Sequence, residues 1–205
     1  RDVQHILIET ANRDAVEDQN ADWTGSPDDP IRHSHQYGFG VVDANAAVTK
    51  AQEWKELGKS VGTETDLDSW SSGAIAPWTS LIPNDTGEGE VSASTYTVDK
   101  NINLEWVEVD VDIDNHSGNV KIWLESPDGT ISELAETHHN PGEKTCWTYT
   151  SVRHWGQSSQ GDWTLYMSDS EQENEQPSVL NSWNLNLYGS KAEVSLETRD
   201  SNASQ

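Results

Sequence analysis

Between Val107 and Asp114 the chain alternates without a break. Val107, Val109, Val111 and Ile113 take the odd positions, and Glu108, Asp110, Asp112 and Asp114 the even ones. A period of two puts the aliphatic side chains on one face of a strand and the carboxylates on the other. No helix sorts these residues that way, so the segment belongs to a layered β structure with one wet, acidic face. The period recurs at Val120, Ile122 and Leu124, alternating with Lys121 and Trp123. Ser126-Pro127-Asp128-Gly129-Thr130 is a hairpin turn signal, and further strands fit 131–136, 147–152, 163–168 and 180–187. Seven or eight short strands without intervening helices predict an antiparallel β-sandwich, a jelly roll, over residues 91–190.

The first 58 residues use a different vocabulary. Val3, Ile6 and Leu7 recur at helical spacing, with Ala11 one turn beyond Leu7. A loop rich in Asn, Asp, Gly and Pro follows. Tyr37-Gly38-Phe39-Gly40 reads as a tight turn, and Asp43 as the N-cap of a helix from Ala44 to about Lys55 that shows Ala47, Ala51 and Trp54 on one face. Residues 59–90 read as a linker or edge region with little regular structure, and 191–205 as a disordered tail. The fold class is therefore mostly β, with a helical segment in front of the sandwich.

Charge excludes two classes of partner. There are 36 acidic against 12 basic residues, a net charge of -24. Phosphate backbones and anionic membrane surfaces both need Lys and Arg, so we expect no nucleic-acid partner and no membrane attachment. No apolar run is long enough to cross a bilayer. Only 33% of residues are hydrophobic, and low hydrophobicity with high net charge is a mark of disorder. Ten Trp oppose that reading. Trp106, Trp123, Trp147, Trp155, Trp163 and Trp183 fall in the β region; several are expected to fill the core, whereas Trp155, at the turn His154-Trp155-Gly156, suits an interface.

Side chains that carry chemistry are sparse. Cys146 is the only Cys, so it forms no intrachain disulfide and no Cys-based zinc site, and beside Trp147 at a strand start it reads as a buried, inert thiol. His33 and His35 bracket Ser34 and could share a face, but the other ligands of a zinc site are not evident nearby, and a packed or hydrogen-bonded pair in a loop is the plainer reading. His138-His139 reads as an exposed turn, and His5, His116 and His154 have no partner at a recognised spacing. No nucleophile elbow occurs. Asp110, Asp112 and Asp114 share one strand face, with Asp128 in a nearby turn; they are candidate calcium ligands, or else a solvated face that blunts strand pairing. The acidic run 169–175 reads as a solvated loop. The Asn-x-Ser/Thr matches at Asn84, Asn115 and Asn202 are no more than chance supplies.

The motifs in series resemble one family. Arg1-Asp2-Val3-Gln4-His5-Ile6-Leu7 resembles a helix that follows the catalytic serine of kexin- and furin-like subtilases. Ser34-His35-Gln36-Tyr37-Gly38-Phe39-Gly40-Val41-Val42-Asp43-Ala44 is similar to the signature near the end of their catalytic domain, and Asn20-Ala21-Asp22-Trp23 to the loop between the two. Residues 105–114, Leu124-Glu125-Ser126-Pro127-Asp128-Gly129-Thr130, Trp147 to Gly156, Gly161-Asp162-Trp163-Thr164-Leu165 and Leu180 to Gly189 resemble the P domain, or Homo B domain, of the same proteases. The resemblance covers nearly all of residues 1–189. It departs at Ser117-Gly118-Asn119, where many P domains carry Arg-Gly-Asp, and at Cys146, where the family usually has a polar residue.

The resemblance implies that residues 1–58 are the end of an α/β subtilisin-like catalytic domain and that 91–190 are a P domain. The family's catalytic Asp, His and Ser and its oxyanion Asn are expected upstream of Arg1. The chain opens on Arg1 and its only Met is Met167, so it reads as a processed product or an excised piece. The resemblance implies a parent that is a secreted or extracytoplasmic, calcium-dependent serine endopeptidase acting on protein or peptide substrates after basic residues. The high acidic and low Lys content points to a bacterial source. The sandwich is expected to stabilise the upstream catalytic domain, with Trp54 and Trp155 at the contact, and to be inactive alone. The other readings are a free-standing jelly-roll module that binds carbohydrate or acts as an adhesin, and a calcium-binding β domain.

Overall fold

A computed structural model describes residues 1–25, 29, 31–54, 67–77, 81–83, 91–114, 119–137, 144–169 and 178–191. Those residues form two helices, α1 (Asp2–Glu9) and α2 (Ala44–Trp54), and eight strands: β1 (Asp68–Ser71), β2 (Ser92–Val98), β3 (Ile102–Asp114), β4 (Val120–Glu125), β5 (Ile131–Ala135), β6 (Lys144–Ser151), β7 (Gly161–Asp169) and β8 (Val179–Lys191). The strands make two antiparallel four-stranded sheets, ordered β1-β8-β3-β6 and β2-β7-β4-β5. Strands β1, β3, β6 and β8 lie in one sheet and the remaining four in the other, so the chain crosses repeatedly between layers.

The alternation in β3 does what its period requires. Val107, Val109, Val111 and Ile113 are buried, and Asp110, Asp112 and Asp114 lie on the opposite face. Leu180, Leu185 and Leu187 of β8 pack beside them, against Ile122 and Leu124 of β4 and Leu165 and Met167 of β7. Each such side chain contributes about 1.5–3 kcal/mol by leaving water. Two Trp complete the core with their N–H groups satisfied. Trp163 donates to the Ser159 carbonyl at 2.8 Å and Trp183 to Ser94 Oγ at 2.9 Å.

Several expectations are corrected. Cys146 is exposed, because it stands opposite Asp112 on the wet face of the sheet. Trp147 is 62% exposed although it shares a row with buried Val111: β6 ends its sheet, and the covering layer does not reach that far. Ala47 and Trp54 are buried in α2 but Ala51 is exposed, and α1 buries His5, Ile6 and Ile8 while Val3 and Leu7 face outward. Strand β1 falls within residues 59–90, and Ile75 and Leu81 form bridges to Trp183 and Val179 of β8. Asp43 caps α2 as its sequence predicts, Oδ1 accepting from the Ala46 N–H at 2.9 Å. His116, His138 and His139, the three Asn-x-Ser/Thr asparagines, Ser117 and Gly118, the run from residue 170 to 175, and the tail beyond Lys191 lie outside the described residues.

Candidate functional site

The first 54 residues meet the sandwich along one seam, and the seam gathers the polar side chains that the core excludes. At its centre is Glu105. Ile102 and Leu104 are buried, and so are Val107 and Val109; the inward phase shifts from even to odd positions between them. The shift is a β-bulge against β8 between Leu104 and Trp106, and it turns Glu105 inward, where its side chain is 0% exposed. Gly189 makes the bulge possible: it pairs with Leu104, and a Cβ there would stand 2.0 Å from the Asn103 carbonyl oxygen.

Two basic groups, Arg1 at the N-cap of α1 and His5 within it, meet that carboxylate. Arg1 grips it with both arms of the guanidinium, Nε donating to Oε2 at 3.0 Å and Nη2 to Oε1. His5 Nε2 lies 3.3 Å from Oε1. Burial by itself would raise the Glu105 carboxyl, but the close approach of His5 and the hydrogen bonds from Arg1, with their charge, outweigh it and hold the group down at about 2. The partners stand 104 residues apart in the chain.

Aromatic rings close over this pair. Trp155 packs edge-on against His5 at 4.9 Å and against Phe39 at 5.9 Å, Phe39 meets His33 at 5.0 Å, and Trp54 lies 6.4 Å from His5. Trp54 and Trp155 are both buried, Trp54 in a small cluster with Ile6 and Ala47. A second polar knot lies further along. Arg153 donates Nη2 to the Asp22 carbonyl at 3.1 Å, Nη1 to the His33 carbonyl at 3.2 Å and Nε to the Ile131 carbonyl at 2.7 Å, and Nη2 stands 3.0 Å from Asp22 Oδ2. Burial pushes the Asp22 carboxyl up, and hydrogen bonds from Ser34 and His35 with the charge of Arg153 bring it down to about 2.

Asp22, His35 and Ser34 are the residue types of a hydrolytic triad, but they are wired differently. Ser34 Oγ donates to Asp22 Oδ1 at 2.6 Å, His35 Nδ1 to Asp22 Oδ2 at 2.7 Å, and His35 Nε2 accepts from the Glu133 N–H at 3.0 Å. The imidazole nitrogen that would take a proton from serine is occupied by backbone, and the serine proton is turned to the carboxylate. The trio ties the loop to β5; it activates nothing. His33 and His35 do not form a ligand pair either, since one ring packs on Phe39 and the other joins Asp22 to β5.

Asp110, Asp112 and Asp114 stand ~6.6 Å apart in successive outward positions of β3. Asp110 accepts from Thr148 at 2.5 Å and from Asn184 and Asn186 at 3.0 Å; Asn181 donates to Asp112 at 3.2 Å and to Asp114 at 2.9 Å. Among the described residues no three His, Cys, Asp or Glu side chains come together to hold a metal ion. The three carboxylates are spaced along one strand of the sheet. They form a hydrogen-bonded lattice with amides and hydroxyls of the neighbouring strands.

Sequence reasoning singled out Trp54 and Trp155 and missed Glu105 and Arg153. The signal for Glu105 was present as the change of apolar phase between Leu104 and Val107, with a carboxylate at the slip. Arg153 left no such trace.

Comparison with known proteins bears on the same residues. The family model for the proprotein convertase P-domain matches residues 104–187. Human proprotein convertase subtilisin/kexin type 7 is 31% identical over 198 residues, covering 93% of this chain and 24% of the relative. The dibasic-processing endoprotease of Schizosaccharomyces pombe is 32% identical over 204 residues, covering 92% of this chain and 27% of its own length. The chain thus spans about a quarter of the length of the curated relatives it matches. A crystal structure of a serine protease of Aeromonas sobria superposes with a TM-score of 0.69 at 21% identity, covering 92% of this chain and 40% of that one.

Proposed function

We propose, from the match of residues 104–187 to the proprotein convertase P-domain model, that the chain is the non-catalytic C-terminal portion of a secreted, kexin-like serine endopeptidase, and that its sandwich stabilises the catalytic domain. In this reading residues 1–58 are the end of that catalytic domain, and the strand order is that of a jelly roll. The parent would hydrolyse peptide bonds of protein substrates through a Ser-His-Asp triad carried outside these residues.

The observation that carries the reading is the grip of Arg1 and His5 on Glu105. It fastens α1 to the sandwich by a buried, charge-assisted contact rather than by a linker alone. Removing one member of a buried ion pair strands the other, at a cost of about 3–5 kcal/mol. Glu105→Ala in the parent protease should therefore speed thermal inactivation, with kcat per titrated active site unchanged. A fluorophosphonate should label the parent and leave the 205-residue chain unlabelled. Stoichiometric labelling of the chain, or a Glu105→Ala parent as durable as the wild type, would overturn the proposal.

Calcium dependence, in the same reading, resides in the upstream catalytic portion. The melting midpoint of the 205-residue chain should be the same with calcium and with a chelator. A chelator-induced drop of several degrees would place a structural calcium in this chain.

A further inference from the structure

Four strands end a sheet: β1 and β6 in one, β2 and β5 in the other. An open edge is a template for another chain, and short length or charge discourages it at two of the four. β1 is four residues long and tied down by Lys100, whose Nζ lies 2.8 Å from Asp68. β5 is five residues with Glu133 at its middle. β2 exposes only small or hydroxyl-bearing side chains.

β6 carries little of this protection, its one charge being Lys144 at its start. It is eight residues, ~26 Å long, with neither charge nor Pro from Thr145 to Ser151. Among the described residues it pairs only with β3, so alternate residues direct N–H and C=O groups outward. Trp147 stands on this edge 62% exposed, while Val111 and Trp183, next in the same row, are buried. On the other face the rows of Thr148 and Cys146 continue to Asp110 and Asp112. Asp110 is fixed by Thr148, Asn184 and Asn186, all neutral, so its charge is positioned without being neutralised.

We infer that the free edge of β6 is a docking site for an extended, Lys- or Arg-rich segment of another protein, which adds to the sheet as a fifth strand. Its backbone continues the ladder. One face of the added strand covers Trp147, where a cation can sit on the indole. The other face leans its cations over Thr148 and Cys146 toward Asp110 and Asp112. A second copy of this chain suits the edge poorly, because it would bring a net charge of -24 against -24.

The test uses the 205-residue chain and a fluorescein-labelled synthetic peptide of alternating Lys and Val, followed by anisotropy. Binding should weaken at least tenfold from about 50 to about 500 mM salt. Trp147→Ala should weaken it about tenfold and Asp110→Asn about threefold, with the far-UV circular dichroism of both variants unchanged. Peptides N-methylated at alternate amides keep the charge but present one edge that cannot bond; those methylated on the pairing edge should not bind. Equal binding of both N-methylated series, equal binding of a Glu-for-Lys peptide, or indifference to Trp147→Ala would overturn the inference. So would a dimer of the chain alone, seen by sedimentation velocity and dissolved by Trp147→Lys, since the edge would then belong to a second copy.

Discussion

At the seam, two imidazoles are held where protons are unwelcome. His154 is fully buried against Trp163 at 5.1 Å; Nδ1 lies 3.2 Å from Gln157 Oε1, and Nε2 has no partner among the described residues. Burial lowers its pKa to about 4, Gln157 and Asp128 opposing the shift and Arg153 and His33 adding to it. His33 is lowered to about 4 by burial and by the nearby charges of Arg153 and His35, with Asp22 opposing, and its Nδ1 also lacks a partner among the described residues. An unfolded imidazole takes its proton near 6.5, so between that pH and about 4 the unfolded chain binds more protons and stability falls on acidification. The loss approaches about 2–3 kcal/mol per histidine at pH 4. Glu105 and Asp22, both depressed to about 2, follow at lower pH, their contributions disappearing from about 4 downward. The melting midpoint should thus drop between pH 7 and 5, before Glu105 and Asp22 titrate, and His154→Gln should flatten that slope. A slope the same in wild type and variant would count against this account.

Elements, rather than residues, show how far the sequence was legible. The strand β3 and its neighbours could be read because a two-residue period leaves a signal in every window, and each apolar row found its core. Edges could not be read. Cys146 and Trp147 have the composition of an inner strand, but exposure depends on the strand's place in the sheet, which local sequence does not encode. The seam was legible in part: the ring of Trp155 at a turn stood out, while Glu105 looked like one more outward charge until the bulge reversed its direction. That bulge rests on Gly189. Gly189→Ala should destabilise the chain by about 1–3 kcal/mol, because the new Cβ forces Asn103 aside. Denaturant titration checks the magnitude, and loss of protection at α1 checks that Glu105 has moved with it. An Ala variant with an unshifted midpoint would show that the bulge does not need the close approach.

Over the whole molecule, stability is divided unequally. The sandwich core links β2, β3, β4, β5, β7 and β8, whereas among the described residues the first 54 supply the small cluster of Ile6, Ala47 and Trp54. The helices are short, eight and eleven residues, and helices of that length depend on packing. Residues 1–54 therefore depend on the seam, and their amides should exchange with solvent at a lower opening free energy than those of β3 and β8. Native-state hydrogen exchange measures this directly. Equal protection in both regions would mean that the helical segment is stable in its own right.

The position of β8 has a consequence for synthesis. It is the last of the described strands to be made, yet it lies second in its sheet, with β1 on one side and β3 on the other. A nascent chain leaving the ribosome would hold β3 with a bare edge, and β1 with no neighbour, until Val179–Lys191 emerged. Completion of this sheet therefore waits on pairing between segments far apart in the chain, which is limited by the closure of long loops. A stop codon at Val179 would remove the one strand that joins β1 to β3 in this sheet.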